Sequence, residues 1–398
     1  MRYLVEGALR GERPRDIVRR STIIGIVSFL TLIDLFGSQA LLPQLVEAYQ
    51  VDPGVMGFAV NASTFGMALS GLLVGWFADR IDRKRGIWVS LALLSVPTFC
   101  LGLVSDVNVF LALRVLQGVF MAAAFTLTMT YLSEQCSITA AGGAMAAYIT
   151  GNVASNLFGR LMSVSMADAF GLSGSFFAFA LLNLCGALIA LTLIGLRDDT
   201  PPERGESPIV AWRAHLARAE LRASFAIGFA ILFVFVGVFT YVNFHLTDVL
   251  GLSPAMLGLV YLVFAPALFT TPLASGLVRR FGPRPVFWGS TGVAVLGIGL
   301  TLIPNLWAVL AGLAVVGAGT FLAQAAATGF VSRAAKGNRA AANGLYLTSY
   351  YVGGLIGAFA LGQVHGAAGW PGVALVVAAA LLAAALLAGF LREPEGES

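Results

Sequence analysis

The sequence predicts an all-α membrane protein, with twelve transmembrane helices arranged as two duplicated six-helix bundles. Three observations carry that expectation. Of 398 residues, 58% are hydrophobic and only 11% are charged, whereas soluble domains carry charge at about a quarter of their positions. The apolar residues gather into twelve runs of roughly 18 to 28 residues, each long enough at 1.5 Å per residue to cross about 30 Å of hydrocarbon. The chain also repeats itself. An offset of 201 pairs Pro53 with Pro254, Gly57 with Gly258 and Gly75 with Gly276, and an offset of 198 pairs Tyr148 with Tyr346, Thr150 with Thr348, Gly159 with Gly357 and Gly171 with Gly369. That pattern is expected when a bundle is duplicated around a central site.

The elements follow in order. A basic tail, 1–22, precedes a first run at 23–48 that is too long for a signal-peptide core and is expected to be the first anchor. Further runs at 56–77, 87–104, 107–132, 142–169 and 174–196 complete the first bundle, 23–196. The charged stretch 197–222, with Pro201, Pro202 and Pro208, is the linker; Val210, Trp212 and Leu216 among its arginines form either a short helix on the membrane surface or a solvated segment. The second bundle, 223–391, has runs at 225–246, 254–278, 285–302, 307–331, 342–362 and 370–391, and 392–398 is a tail. Gly71 with Gly75 and Gly353 with Gly357 give small-residue faces for close helix approach. Pro266, Pro272 and Pro304 are positions where helices kink or end.

Charge sets orientation. All but two of the 24 Lys and Arg residues fall on alternate loops that share one side of the membrane; the exceptions, Arg114 and Arg160, lie inside runs. The positive-inside rule then places both termini in the cytoplasm. Because the net charge of +4 is dispersed over six segments, it reflects topology and not nucleic-acid binding. Cys100, Cys136 and Cys185 lack the spacing of a disulfide framework or a zinc site.

Between the second and third runs stand Gly75, Asp79, Arg80, Arg83, Lys84 and Arg85, in the form Gly-x-x-x-Asp-Arg-x-x-Arg-Lys-Arg. This resembles the cytoplasmic signature of the major facilitator superfamily, and Arg114-Val-Leu-Gln117-Gly118 resembles the Arg-x-x-Gln-Gly element of its fourth helix. The resemblance implies the major facilitator fold, and it gives Asp79 the role of capping the eleventh helix in the outward-open state. The charges from Asp79 to Arg85 and Glu134 then form a cytoplasmic gate, which is asymmetric because Arg279 stands where the second half would have an acid. Asp82 occupies a position where the family usually has glycine, so a left-handed turn is expected there. Tyr131-Leu-Ser-Glu134, Gly151-Asn152, Gly159-Arg160-Leu161 and Ser349-Tyr350-Tyr351 resemble bacterial arabinose-efflux-like and multidrug-efflux-like permeases. Gly159-Arg160 replaces the Gly-Pro pair of many drug:proton antiporters, which leaves the direction of coupling open.

Of twenty Asp and Glu residues, only Asp34 falls well inside a run. Intramembrane carboxylates are costly, so a functional role is the first hypothesis, with a structural ion pair as the other. Ser28, Thr31, Asp34 and Ser38 share one face of the first helix, expected to line water or a cavity. Asn152, Asn156, Arg160 and Ser163 form a second stripe on the fifth helix, and Arg114, Gln117 and Met121 a third on the fourth. Counting rise, Asp34 is ~16 Å from the inner boundary and Arg160 ~13 Å from the outer one, so the two are expected to share a depth near the midplane. Arg114 is either a hydrogen-bond donor to helix backbone or a substrate contact. The second half has no carboxylate in its runs but offers Tyr241, Asn243, Gln324, Tyr346 and Tyr350 as a polar and aromatic wall.

The function expected is proton-coupled efflux of a small amphipathic compound or sugar-like solute, by Asp34 as coupling residue with Arg114 and Arg160 as charge partners. Uptake of a small organic anion is the alternative. An enzyme is disfavoured because the runs hold no metal cluster, Ser/His dyad or phosphate loop. A sensor is disfavoured because no extramembrane stretch is long enough for a signalling domain. The expected partners are the solute, protons and the lipid bilayer, without cofactor, metal or nucleic acid, in a monomer of a bacterial inner membrane.

Overall fold

A computed structural model describes residues 14–77, 81–135, 138–193, 208–252, 256, 259–335 and 338–391. Its first half contains α1 (Pro14–Ala40), α2 (Leu42–Tyr49), α3 (Pro53–Phe77), α4 (Arg83–Leu101), α5 (Val107–Gln135) and α6 (Ile138–Leu193). A connecting helix, α7 (Pro208–Ala217), leads to α8 (Ala219–Asp248), α9 (Ala265–Thr270), α10 (Ala274–Phe281), α11 (Pro283–Leu300), α12 (Leu306–Ala334) and α13 (Arg339–Leu387). The described residues contain no strand. Large side chains on the outer faces are apolar, among them Phe58, Phe269 and Leu386, while Ser, Thr, Asn, Gln and Arg side chains are buried inside. This arrangement suits lipid as the surrounding solvent.

Two of the long helices each hold two crossings, hinged at positions that the repeat pairs. Gly171 (φ 72°, ψ 175°) breaks α6 and Gly369 (φ 59°, ψ −160°) breaks α13. Glycine enters these conformations without the steric penalty of a Cβ, so the chain turns there within a single residue.

Three expectations are corrected. The first run does not continue to residue 48 as one helix: α1 stops at Ala40 and α2 restarts with a proline in its first turn, where a missing N–H costs nothing. Asp82 is not left-handed. It has φ −58° and ψ 124°, and its carboxylate caps α4 by accepting from Arg85 N at 2.6 Å. The eighth run is not one α-helix, because Pro266 and Pro272 each remove a backbone donor; 3₁₀ turns at Tyr261–Phe264 and Thr271–Leu273 flank α9 before α10 completes the crossing.

The halves pack tightly at the end of the molecule that carries the basic side chains. A Cβ on Gly71 of α3 would lie 2.9 Å from Gly344 O of α13, so this approach needs glycine. Thr348 Oγ1 donates to Ala68 O at 3.1 Å, and Asn343 Nδ2 to Thr130 Oγ1 at 3.4 Å, across the same seam. The stretch between the halves is helical at α7 and clamped to the bundles. Trp212 packs on Trp76 at 5.6 Å, and His215 Nε2 meets Asn338 O at 3.0 Å. Arg218 donates to Ala334 O at 2.6 Å. Burial pushes the His215 imidazole below its ordinary pKa; Arg218 acts in the same sense and the bond to Asn338 opposes.

Candidate functional site

Asp34 is fully buried, and among the described residues it is the one acid that is. Its Oδ2 accepts from Thr98 Oγ1 at 3.1 Å, Gln117 Nε2 at 3.1 Å and Asn183 Nδ2 at 3.2 Å. Those donors come from α4, α5 and α6, so the carboxylate ties four helices together. Thr98 Oγ1 also lies 2.8 Å from Leu94 O, so its single hydrogen has two acceptors in reach, and it accepts from Gln117 at 2.7 Å and Asn183 at 3.1 Å. Asp34 Oδ1 and Asn183 Oδ1 are buried without a partner. Thr98 and Asn183 went unnoticed in the sequence; lone polar residues in apolar runs were the available signal.

The stripe on the first helix does not line an open cavity. Ser28, Thr31, Asp34 and Ser38 are all fully buried, Thr31 Oγ1 donating to Val27 O at 2.6 Å and Ser38 Oγ to Asp34 O at 2.7 Å. Thr31 and Ser38 therefore satisfy themselves on their own helix.

Arg114 takes the backbone-donor role. Its Nε and Nη2 donate to Val60 O at 2.9 and 2.7 Å, Nη2 to Ser63 Oγ at 3.1 Å and Nη1 to Gln117 Oε1 at 2.6 Å. Through Gln117 it stands one side chain away from Asp34.

Arg160 is not brought to Asp34, contrary to the expected pairing. Its Nη2 donates to Gln39 Oε1 at 2.7 Å and its Nε to Asn156 Oδ1 at 3.0 Å; Gln39 in turn donates to Asn61 Oδ1 at 3.0 Å. The physical reason is helical phase: at 100° per residue Gln39 is about 140° around α1 from Asp34, and Phe36 about 160°, so α1 stands between the two charges. Phe36 lies 5.7 Å from the guanidinium and Tyr261, from the second half, 4.1 Å. Asn156 Nδ2 and Asn152 Oδ1, along the same face of α6, are buried without partners.

In the second half, Asn243 reaches this centre: its Nδ2 is 3.3 Å from Tyr261 Oη, and its Oδ1 is unpartnered. Phe264 stacks on that ring and Phe239 packs on Phe264 in turn. Gln324 is buried, and Tyr346, with an unpartnered hydroxyl, stacks on Tyr350 at 6.2 Å. Tyr241 is not brought there; its hydroxyl donates to Ala358 O and its ring stacks on His365. At the expected gate, Gly75 faces Trp212 and Arg83 donates to Ile81 O at 3.0 Å. Asp79, Arg80 and the side chain of Glu134 lie outside the described residues.

Two helical bundles that meet around central polar side chains, in a chain faced with apolar residues, define a multi-pass membrane transporter. The Major Facilitator Superfamily family model matches residues 24–269 and 245–398, and the chain belongs to that superfamily. It is 30% identical over 356 residues to the inner membrane transport protein YnfM of Escherichia coli, covering 89% of this chain and 85% of the relative. A more distant relative, the bicyclomycin resistance protein homolog of Haemophilus influenzae, is 22% identical over 74% of this chain and 75% of its own. Among solved structures, the proton:xylose symporter XylE superposes with a TM-score of 0.79 at 14% identity, covering 95% of this chain and 96% of that one. The twelve-helix fold is therefore shared, and the chain is a transporter, not an enzyme.

Proposed function

We propose that this chain is a proton-coupled exporter of a small amphipathic solute, working by alternating access in a bacterial inner membrane with its basic end and both termini in the cytoplasm. The observation that carries the coupling is the setting of Asp34, an acid buried among neutral donors with one oxygen unpartnered. A carboxylate is retained at such a place for function more readily than for stability. Arg114 is joined to it only through Gln117, so a shift of α5 against α1 changes how that positive charge is felt at the carboxylate, and with it whether the proton stays.

An amphipathic cargo is supported by the centre between the halves, where rings of Phe36, Tyr261 and Phe264 adjoin the polar side chains of Arg160, Asn156 and Asn243. The export direction draws on the relative named for bicyclomycin resistance. The cytoplasmic assignment draws on the gathering of Lys and Arg at one end.

The test is a reconstituted vesicle assay with a trapped pH dye and a panel of small amphipathic solutes. The parent protein drives at least one solute uphill at the expense of a proton gradient. Asp34→Asn loses gradient-driven accumulation yet still exchanges the same solute downhill. Uphill transport by Asp34→Asn equal to the parent would make Asp34 structural and end this reading of the coupling.

A further inference from the structure

Arg160 holds a buried positive charge with no acid to match it. It is 6% exposed, and among the described residues no carboxylate lies within ion-pair reach of it. Its two recorded acceptors, Gln39 Oε1 and Asn156 Oδ1, are neutral amide oxygens, which leaves Nη1 without an acceptor among the described residues. A guanidinium offers five donors in a planar fork that matches a carboxylate. Next to it Asn156 Nδ2 is a second buried donor without a partner. Arg114, by contrast, is bonded through all three of its nitrogens, to Val60 O, Ser63 and Gln117.

The surroundings are flat and apolar. The guanidinium is 4.1 Å from the Tyr261 ring centroid and 5.7 Å from that of Phe36, one ring from each half of the molecule. Beyond Tyr261, the buried Asn243 Oδ1 is an acceptor without a donor.

We propose that Arg160, with Asn156 and the rings of Phe36 and Tyr261, anchors the anionic group of the transported solute, so that the cargo is a small organic carboxylate with a flat apolar body. This rests on the transport reading above and adds the class of its cargo. The carboxylate takes the free edge of the guanidinium and the Asn156 amide, as a bidentate charge-assisted pair. The flat body lies against Tyr261, and a hydroxyl or N–H at its far end meets Asn243. Because Phe36 and Tyr261 belong to different halves, the bound anion touches both moving bodies.

The test uses the full chain in detergent, with calorimetric binding of benzoate, 4-hydroxybenzoate, hexanoate and benzamide. Benzoate and 4-hydroxybenzoate bind at least about tenfold more tightly than benzamide, whose shape is the same and whose charge is absent. Arg160→Gln abolishes that preference, and Arg160→Lys, which keeps the charge in a different geometry, retains part of it. Tyr261→Leu weakens benzoate several-fold more than hexanoate, which separates loss of the ring from loss of the fold. Benzamide binding as tightly as benzoate, an unchanged preference in monodisperse Arg160→Gln, or no binding of any carboxylate would overturn the proposal. Proton-driven transport of neutral solutes alone would remove the anchor and leave the transport reading intact. Carboxylate binding that no proton gradient can drive would retain the anchor and remove the coupling.

Discussion

At the scale of the residue, two arginines in one bundle have different work because their neighbours differ. Arg114 donates four hydrogen bonds within α3 and α5, two of them to the Val60 carbonyl. Removing it leaves buried acceptors stranded at about 1–3 kcal/mol each. Arg114→Met is therefore expected to lower the unfolding temperature in detergent far more than Arg160→Gln does, and a larger loss in Arg160→Gln would reverse the two roles. Both arginines, Asp34, Gln117 and Asn156 were visible in the sequence, since a charge or amide in an apolar run is conspicuous. Gln39, Thr98, Asn183 and Tyr261 were not, because each matters only through a partner on another helix.

At the scale of the element, α7 makes the clearest prediction. Burial and Arg218 favour the neutral His215 imidazole in the docked helix. A histidine held below its ordinary value contributes stability that is present above the undocked pKa of about 6.5, and that stability is lost as pH falls through the lowered docked value. The protection of amides in 208–217, taken relative to the intrinsic exchange rate at each pH, should accordingly fall on going from pH 7.5 to pH 5.5. His215→Gln should flatten that dependence, and an equal pH response in the variant would assign the effect to another group. Sequence alone left this segment as either a surface helix or a solvated linker. Its docking depends on Trp76, Ala334 and Asn338, contributed by both halves.

At the scale of the whole molecule, the seam at the basic end is tight, with Gly71 against Gly344 and Thr348 bonded to Ala68. Alternating access requires that seam to open while the opposite end closes. Spin labels at Asn108, in the first turn of α5, and at Ile303, in the turn before α12, should report a distance that shifts with pH or with bound solute. One unchanging distance in protein shown to transport would contradict rocking of the two bundles.

What the sequence by itself determined was the class of fold, the twelve crossings and the duplication, because these follow from hydropathy and repetition along the chain. Even the paired hinges at Gly171 and Gly369 stood at equivalent positions in the repeat. What only the tertiary structure decided was azimuth. Rise along the helices leads one to expect Asp34 and Arg160 at similar depths, but about 140° of rotation around α1 sends one toward Thr98 and Asn183 and leaves the other beside Gln39, Phe36 and Tyr261. Depth is a property of one helix and its solvent, whereas azimuth is set by packing between helices, and no single run of residues contains it.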